Sequence, residues 1–437
     1  SSLPDDDTYT YMCDTKLAQS NVPRVVVEMS SVSQEAALDE SMVIIDELLV
    51  RKGRTLTDEQ RLIVRERVSM ETEKTALYIN LAVQVISKWT CEVDASSNLE
   101  GGVHNLIKQM FRRLERDYGD KLVRFALAFI TFSKKGISDV EMEELLSLDD
   151  EVLTFVFQYH DNPSIRRVPS HVWLRLKNAM HGLIVEGEAG CFKWYHRQLR
   201  EVATSFFDDV KPIAVKHMAR YFGNLVDAGE MRAKKLRQQP RFFDSAHCFA
   251  IDAIINKRRC DEAFYHLIDT GLIEDAIQEM CSIEAVYANC RYSTTQCFAY
   301  EVELSKLAIS VEGHAHQLTT DMQETCKHYH RFARNDMSGI VAGNHNLEAL
   351  HRYLERQPSC SRVLRDFRAM VESVPKRNFF ELSPEEMRRS TPLYRSLGGR
   401  STDFTSCLAT WEGHSSGVNA VAFHPQGHQV VSGSGDK

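Results

Sequence analysis

The 437 residues contain no GxxxxGK[ST] segment and no acidic pair behind an apolar strand. That glycine-rich loop cradles nucleotide phosphates with its backbone amides and lysine, so a chain without it is expected neither to bind ATP tightly nor to hydrolyse it alone. Cysteine is thin and unpatterned, with eleven residues between Cys13 and Cys407 and no CxxC pair. A zinc ribbon and a disulfide framework are thereby disfavoured, and a reducing compartment fits best. No apolar run reaches the ~18 residues that span a bilayer, and the N-terminal stretch holds no signal-peptide core. A basic surplus is missing too: 53 Lys and Arg face 61 Asp and Glu, which disfavours nucleic acid as a partner. What remains is the composition of a soluble, cytoplasmic globular protein, 43% hydrophobic and 26% charged. The chain begins without methionine and stops inside a motif, so it is expected to be a piece of something longer.

Its centre is the stretch from residue 180 to residue 207. Residues 183–186 and 191–195 are β-prone runs separated by Gly187-Glu188-Ala189-Gly190, whose terminal glycines admit positive φ most easily, so a hairpin is expected. Directly after it, Leu199, Val202, Ala203, Phe206 and Phe207 fall at the spacing of one buried helix face. Before it, Pro169-Ser170 supplies a helix start, and Val172, Trp173, Leu176, Ala179 and Met180 give that helix its apolar side. Helix, hairpin, helix outlines a winged-helix unit. An apolar helix over 122–132 and a helix opened by the Ser138 and Glu141 capping box extend it to residues 117–208.

Upstream, a short strand over 24–29 makes residues 1–32 read as the end of an α/β domain, and residues 33–116 as a small helical domain. Its first helix carries Ala37, Leu38, Ile44, Ile45, Leu48 and Leu49; its second opens on a Thr57 and Gln60 capping box and carries Leu62, Ile63 and Val68. Residues 76–86 are apolar nearly all round, as a central bundle helix would be, and Leu106, Ile107, Met110, Phe111 and Leu114 mark an amphipathic one. Downstream, residues 209–375 read as an α-helical spacer of paired helices without a strict repeat, and 376–406 as a linker. The fold class expected from all this is mainly α.

From residue 407 to the end the pattern changes. Gly413-His414, then an alternating run ending in Phe423-His424-Pro425-Gln426-Gly427, then Ser432-Gly433-Ser434-Gly435-Asp436-Lys437, resembles the start of a WD40 repeat. A whole repeat is ~40 to 45 residues, so this is an incomplete propeller blade. The resemblance makes His414, Ser432 and Asp436 members of the buried hydrogen-bond network that fixes such a blade. With Gly53-Arg54-x-Leu56-x-x-x-Gln60, Ala76-Leu77-Tyr78-Ile79, Trp194-Tyr195-His196-Arg197-Gln198-Leu199-Arg200-Glu201-Val202 and Tyr265-His266-Leu267-Ile268-x-x-Gly271, the whole order resembles the C-terminal regulatory part of STAND nucleotide switches. Within these it is similar to the NACHT and WD-repeat kind and, more distantly, to the apoptosome ATPase.

That resemblance implies a signalling switch shut by ADP and opened by exchange for ATP, with magnesium, in the complete protein only; this chain itself would hold no cofactor and catalyse nothing. It also implies that His196 reaches the β-phosphate, an imidazole N–H being a competent donor to phosphate oxygen. Arg197 stands where an acidic residue often follows that histidine, and Thr75 or Ala76 where the adenine-contacting helix expects proline. Partners would be proteins, met by the spacer and the propeller, with self-assembly of the complete molecule. Two other classes remain open: a nucleotide-independent scaffold, and a winged-helix DNA binder, which Arg175 and Lys177 alone in the recognition helix argue against. No metal site is expected, because Cys326, His328 and His330 at i and i+2 do not share a helix face. The basic runs Arg232 to Arg241 and Lys257-Arg258-Arg259 read as solvated helix faces, and Cys191, Cys281, Cys290 and Cys297 as small apolar packing groups.

Overall fold

The computed structural model describes residues 34–70, 75–89, 98–158, 166–243, 254–342 and 353–373, and the strands 418–423 and 430–434 by their backbone. The expected strand at 24–29, the linker at 376–406, and His414 and Asp436 lie outside the described residues. Residues 1–369 make one compact unit and 370–437 a second.

The first unit opens with α1 (Gln34–Arg51), α2 (Asp58–Met70) and α3 (Ala76–Ile86), packed as a three-helix bundle. Leu38, Met42, Ile45 and Leu49 bury the inner face of α1, whereas Ile44, read as part of that face, points outward. In α2 the buried set is Gln60, Val64 and Val68, and Leu62 is 68% exposed, so the phase of this helix is turned from the one its apolar residues suggest. The Thr57 and Gln60 capping box forms, with Thr57 Oγ1 accepting from the Gln60 amide at 3.3 Å. α3 is buried on most sides, as its composition requires.

Next come α4 (Val103–Tyr118), α5 (Asp120–Phe132), β1 (Ile137–Ser138), α6 (Asp139–Leu148), α7 (Asp150–Val156), α8 (Ser170–Ala179), β2 (Ile184–Glu186), β3 (Cys191–Trp194) and α9 (Arg197–Phe206). The hairpin pairs Ile184 with Trp194 and Glu186 with Phe192, and β1 adds a third antiparallel strand through Ile137 and Phe192. This is the winged helix. Its turn differs from expectation in one respect: positive φ falls on Ala189 and Gly190, not on Gly187. Ser170 is the first helical residue of α8, after a Pro169 cap that makes no side-chain bond. Phe111 of α4 stacks near Trp194 (5.5 Å), Phe206 (5.5 Å) and Phe207 (5.2 Å), so α4 closes the winged-helix core on the side away from β1 and α6. α5 runs through the middle, and every apolar side chain from Leu122 to Phe132 is buried.

The spacer follows as α10 (Lys211–Phe222), α11 (Ala228–Lys234), the two-residue strands β4 (Phe242–Phe243) and β5 (Ile254–Ile255), α12 (Lys257–Asp269), α13 (Ile273–Met280), α14 (Ile283–Tyr292), α15 (Thr294–Gly313), α16 (Thr320–Ala342) and α17 (Arg362–Ser373). α10 packs on α12, and α15 on α16. Cys191, Cys281, Cys290 and Cys297 are buried thiols outside any disulfide. In the second unit, β6 (Val418–Phe423) and β7 (Val430–Ser434) pair antiparallel, which sets the Ser432 backbone opposite Val421.

Candidate functional site

His196 ends the hairpin and begins α9. Its backbone is extended (φ −130°, ψ 146°), the geometry of a helix cap, and its Nδ1 accepts from the Gln198 amide at 3.2 Å. An acceptor at Nδ1 leaves the proton of the neutral ring on Nε2, so the nitrogen that is not occupied by the helix is the donor. The side chain is exposed at the rim of a pocket of about 270 Å³. Lys134, Lys193, Arg197 and Arg200 share that lining with His196 and Trp194, and no carboxylate does. Two of these cations are engaged, Lys134 Nζ with Glu303 at 3.5 Å and Arg197 with Glu201 at 2.6 Å. Lys193 and Arg200 have no ion-pair partner among the described residues.

The floor of the pocket is fixed by the winged-helix core. Trp194 Nε1 donates to Thr131 Oγ1 of α5 at 3.1 Å, which orients β3 where it delivers His196. Gly136, at φ +89°, lets the turn after α5 lie against β3; a Cβ there would sit 2.5 Å from the Phe192 carbonyl oxygen. The same turn is held from outside the winged helix. Both carboxylate oxygens of Glu262 on α12 accept backbone amides, Lys134 at 2.9 Å and Lys135 at 2.7 Å. Arg258, one turn earlier, donates to Glu141 at 2.7 Å and to the Gly136 carbonyl at 2.6 Å. His266 Nε2 meets Glu262 at 3.0 Å.

Glu262 is fully buried, and burial by itself would push its carboxyl up. The bond from His266, the charge of Arg258 and the Lys134 amide outweigh this and hold it at about 2. Arg258 rises from its ordinary value because Glu141 and Glu262 overcome its burial. The reading of Lys257-Arg258-Arg259 as a solvated face is therefore corrected: Arg258 and Arg259 are only 17% and 12% exposed, and Arg259 pairs with Glu279 at 2.6 Å. Lys234 and Arg241 of the other basic run are also buried, against Asp150 and Glu279.

The remaining expected sites are simpler. On α8, Lys177 is tied to Asp139 at 2.9 Å and lies 4.1 Å from the Phe192 ring, and Arg175 lies over Tyr118. Cys326 is buried and His330 bonds Ser305 at 3.1 Å; no cluster of metal-capable side chains occurs among the described residues. No described helix is long and apolar enough to cross a membrane. Ser432 has only its backbone described, so its network with His414 and Asp436 is not placed.

An NWD1-like winged helix-turn-helix domain matches residues 93–205, a span that takes in α4 as well as the hairpin, and a WD domain, G-beta repeat matches 405–437. This chain is similar to the NACHT and WD-repeat proteins. It is 26% identical over 269 residues to human NACHT and WD repeat domain-containing protein 2, covering 52% of this chain, and 29% identical over 225 residues to mouse NACHT domain- and WD repeat-containing protein 1, covering 46%. The match spans only 15% and 14% of the length of those two relatives. No solved structure matches the chain.

Sequence reasoning singled out His196 and missed Lys134, Lys193 and Arg200 beside it. Glu262, 128 residues from Lys134, carries no local signal at all.

Proposed function

We propose that this chain is the regulatory and interaction portion of a nucleotide-dependent signalling switch, and that His196 is its phosphate-sensing group. One observation carries the reading. His196 uses Nδ1 for its own helix, which leaves Nε2 as the ring's donor, and it lines a pocket whose charged residues are cations without a carboxylate. Those residues fit a phosphate oxygen: an imidazole N–H donor, with Lys193 and Arg200 beside it to balance charge. The nucleotide itself would be gripped by a phosphate-binding loop outside this chain; when bound, its diphosphate gives the winged helix a charge to close upon. The chain alone catalyses nothing, the helical spacer and the WD repeat bind proteins, and the complete molecule assembles with copies of itself in the cytoplasm.

The test uses the complete protein. His196→Asn keeps a capping acceptor but shortens the donor, so it is expected to speed ADP release and raise self-assembly while leaving the fold unchanged. Unaltered release and assembly would instead make the molecule a nucleotide-independent scaffold. For the isolated chain, no phosphate release from ATP above background is expected.

A further inference from the structure

A second cleft, of about 610 Å³, lies between the three-helix bundle and the winged helix, apart from the histidine pocket. One wall is built from the ends of α1 and α3, with Lys52 and Lys88; the other from α4, α8 and the turn after α8, with Arg113, Asp117, Arg175 and His181. The two walls meet where α3 crosses the start of the hairpin: Gly182 has φ +86°, and a Cβ on it would stand 2.7 Å from the Gln84 side-chain nitrogen.

The charge in this cleft is unbalanced. Arg113 is compensated by Asp117 at 3.3 Å. Lys52, Lys88 and Arg175 make no ion pair among the described residues, which leaves three positive charges facing one space. Lys52 is held below the ordinary lysine value by burial first and by the Lys88 charge second, so the two ammonium groups feel one another. Helix C-termini attract cations, and both lysines follow one, but the free carbonyls there are already satisfied. Arg54 donates to the Ser87 and Trp89 carbonyls just after α3, and the Lys52, Gly53 and Arg54 amides take the Leu49 and Val50 carbonyls of α1. The lysine heads are left over. Arg175 is placed in advance, its guanidinium 6.0 Å from the centre of the Tyr118 ring.

We propose that this cleft binds a compact, multiply charged phosphate anion, held by Lys52 and Lys88 from the bundle and by Arg175 and His181 from the winged helix. The volume suits a small molecule and not a folded partner. A phosphate cluster brings the charge that three cations lack, and Arg with Lys is the usual pairing for it. Because the ligands come from both walls, the anion ties the bundle to the winged helix. The site is separate from the His196 pocket and does not rest on the nucleotide reading.

The test is a calorimetric titration of the 437-residue chain with sodium tripolyphosphate at ~0.15 M salt, where exposed charges are screened beyond about 8 Å. One saturable site per chain is expected. Lys52→Gln with Lys88→Gln should weaken it at least tenfold, and Arg175→Gln, on the other wall, should weaken it independently. Lys193→Gln with Arg200→Gln, in the histidine pocket, should leave it unchanged, which separates the two sites. Adenosine should not compete; the strength of ADP as a competitor tells a nucleotide from a free polyphosphate, both being phosphate clusters read by charge. Absence of a saturable site, or an affinity that the paired lysine variant does not alter, overturns the proposal. All the substituted side chains are exposed, and unchanged circular dichroism of each variant establishes that the comparison is between folded chains.

Discussion

At the scale of single residues, His196 and Glu262 are connected through one turn of chain. His196 caps α9 by accepting the Gln198 amide. Removing a capping acceptor costs about 1 kcal/mol, so His196→Ala should lower the unfolding free energy of this chain by that much, read from urea denaturation, and His196→Asn should restore it. The two variants must then part company in the complete protein: equal stability for Asn and wild type with unequal nucleotide release is the signature of a donor role, and equal behaviour in both assays leaves only the cap. Glu262 is of another kind. Its two oxygens hold the Lys134 and Lys135 amides that edge the histidine pocket. Glu262→Gln leaves one acceptor for two amides and leaves Arg258 with Glu141 as its one carboxylate, a loss on the order of 3 kcal/mol for one member of a buried ionic group. Amide exchange at Lys134 and Lys135 should quicken in that variant more than exchange in the centre of α5; uniform acceleration would mean that the contact is only general support.

At the scale of elements, what was legible in the sequence was whatever local periodicity decides. The buried face of α9 (Leu199, Val202, Ala203), the Ser138 and Glu141 capping box and the hairpin all follow from residues within a few positions of each other. What was not legible depends on distant chain. Leu62 turns outward because α2 meets its bundle through Gln60, Val64 and Val68, and no property of the helix by itself selects that phase. β1 is two residues long and gains its identity only by pairing Ile137 with Phe192. The turn chemistry was half legible: one glycine takes the left-handed conformation and Ala189 takes the other, at φ 56°. Ala189→Gly relieves that strain and should raise stability by ~0.5–1 kcal/mol, read as an increase in urea midpoint. A decrease would place the side chain among the contacts that hold the wing. Phe111→Ala tests the aromatic layer that brings α4 to β3 and α9; deletion of a fully buried phenylalanine should cost about 3–5 kcal/mol in the same measurement.

At the scale of the molecule, the charged network between α12 and the turn after α5 makes the spacer and the winged helix one body, and it gives that body a pH dependence of definite sign. Glu262 lies at about 2 in the folded chain against an ordinary carboxyl value of 4.5. Asp149 is also lowered: burial opposes this, and the His217 bond at 3.2 Å with the amides at the start of α7 outweighs it. A carboxyl whose folded value is depressed contributes stability that is complete above its unfolded value and disappears as the pH falls toward the folded one. The urea midpoint should therefore be level from pH 7 to 5 and drop between about 4.5 and 2. Glu262→Gln should start lower at pH 7 and fall less steeply, so that the two curves converge in acid. Curves that stay parallel across that range would show that Glu262 is not the group whose protonation loosens α12 from the winged helix. Convergence would place the pH-sensitive joint of the molecule at the turn that borders His196, where movement of the spacer and the shape of the pocket are governed by the same two backbone amides.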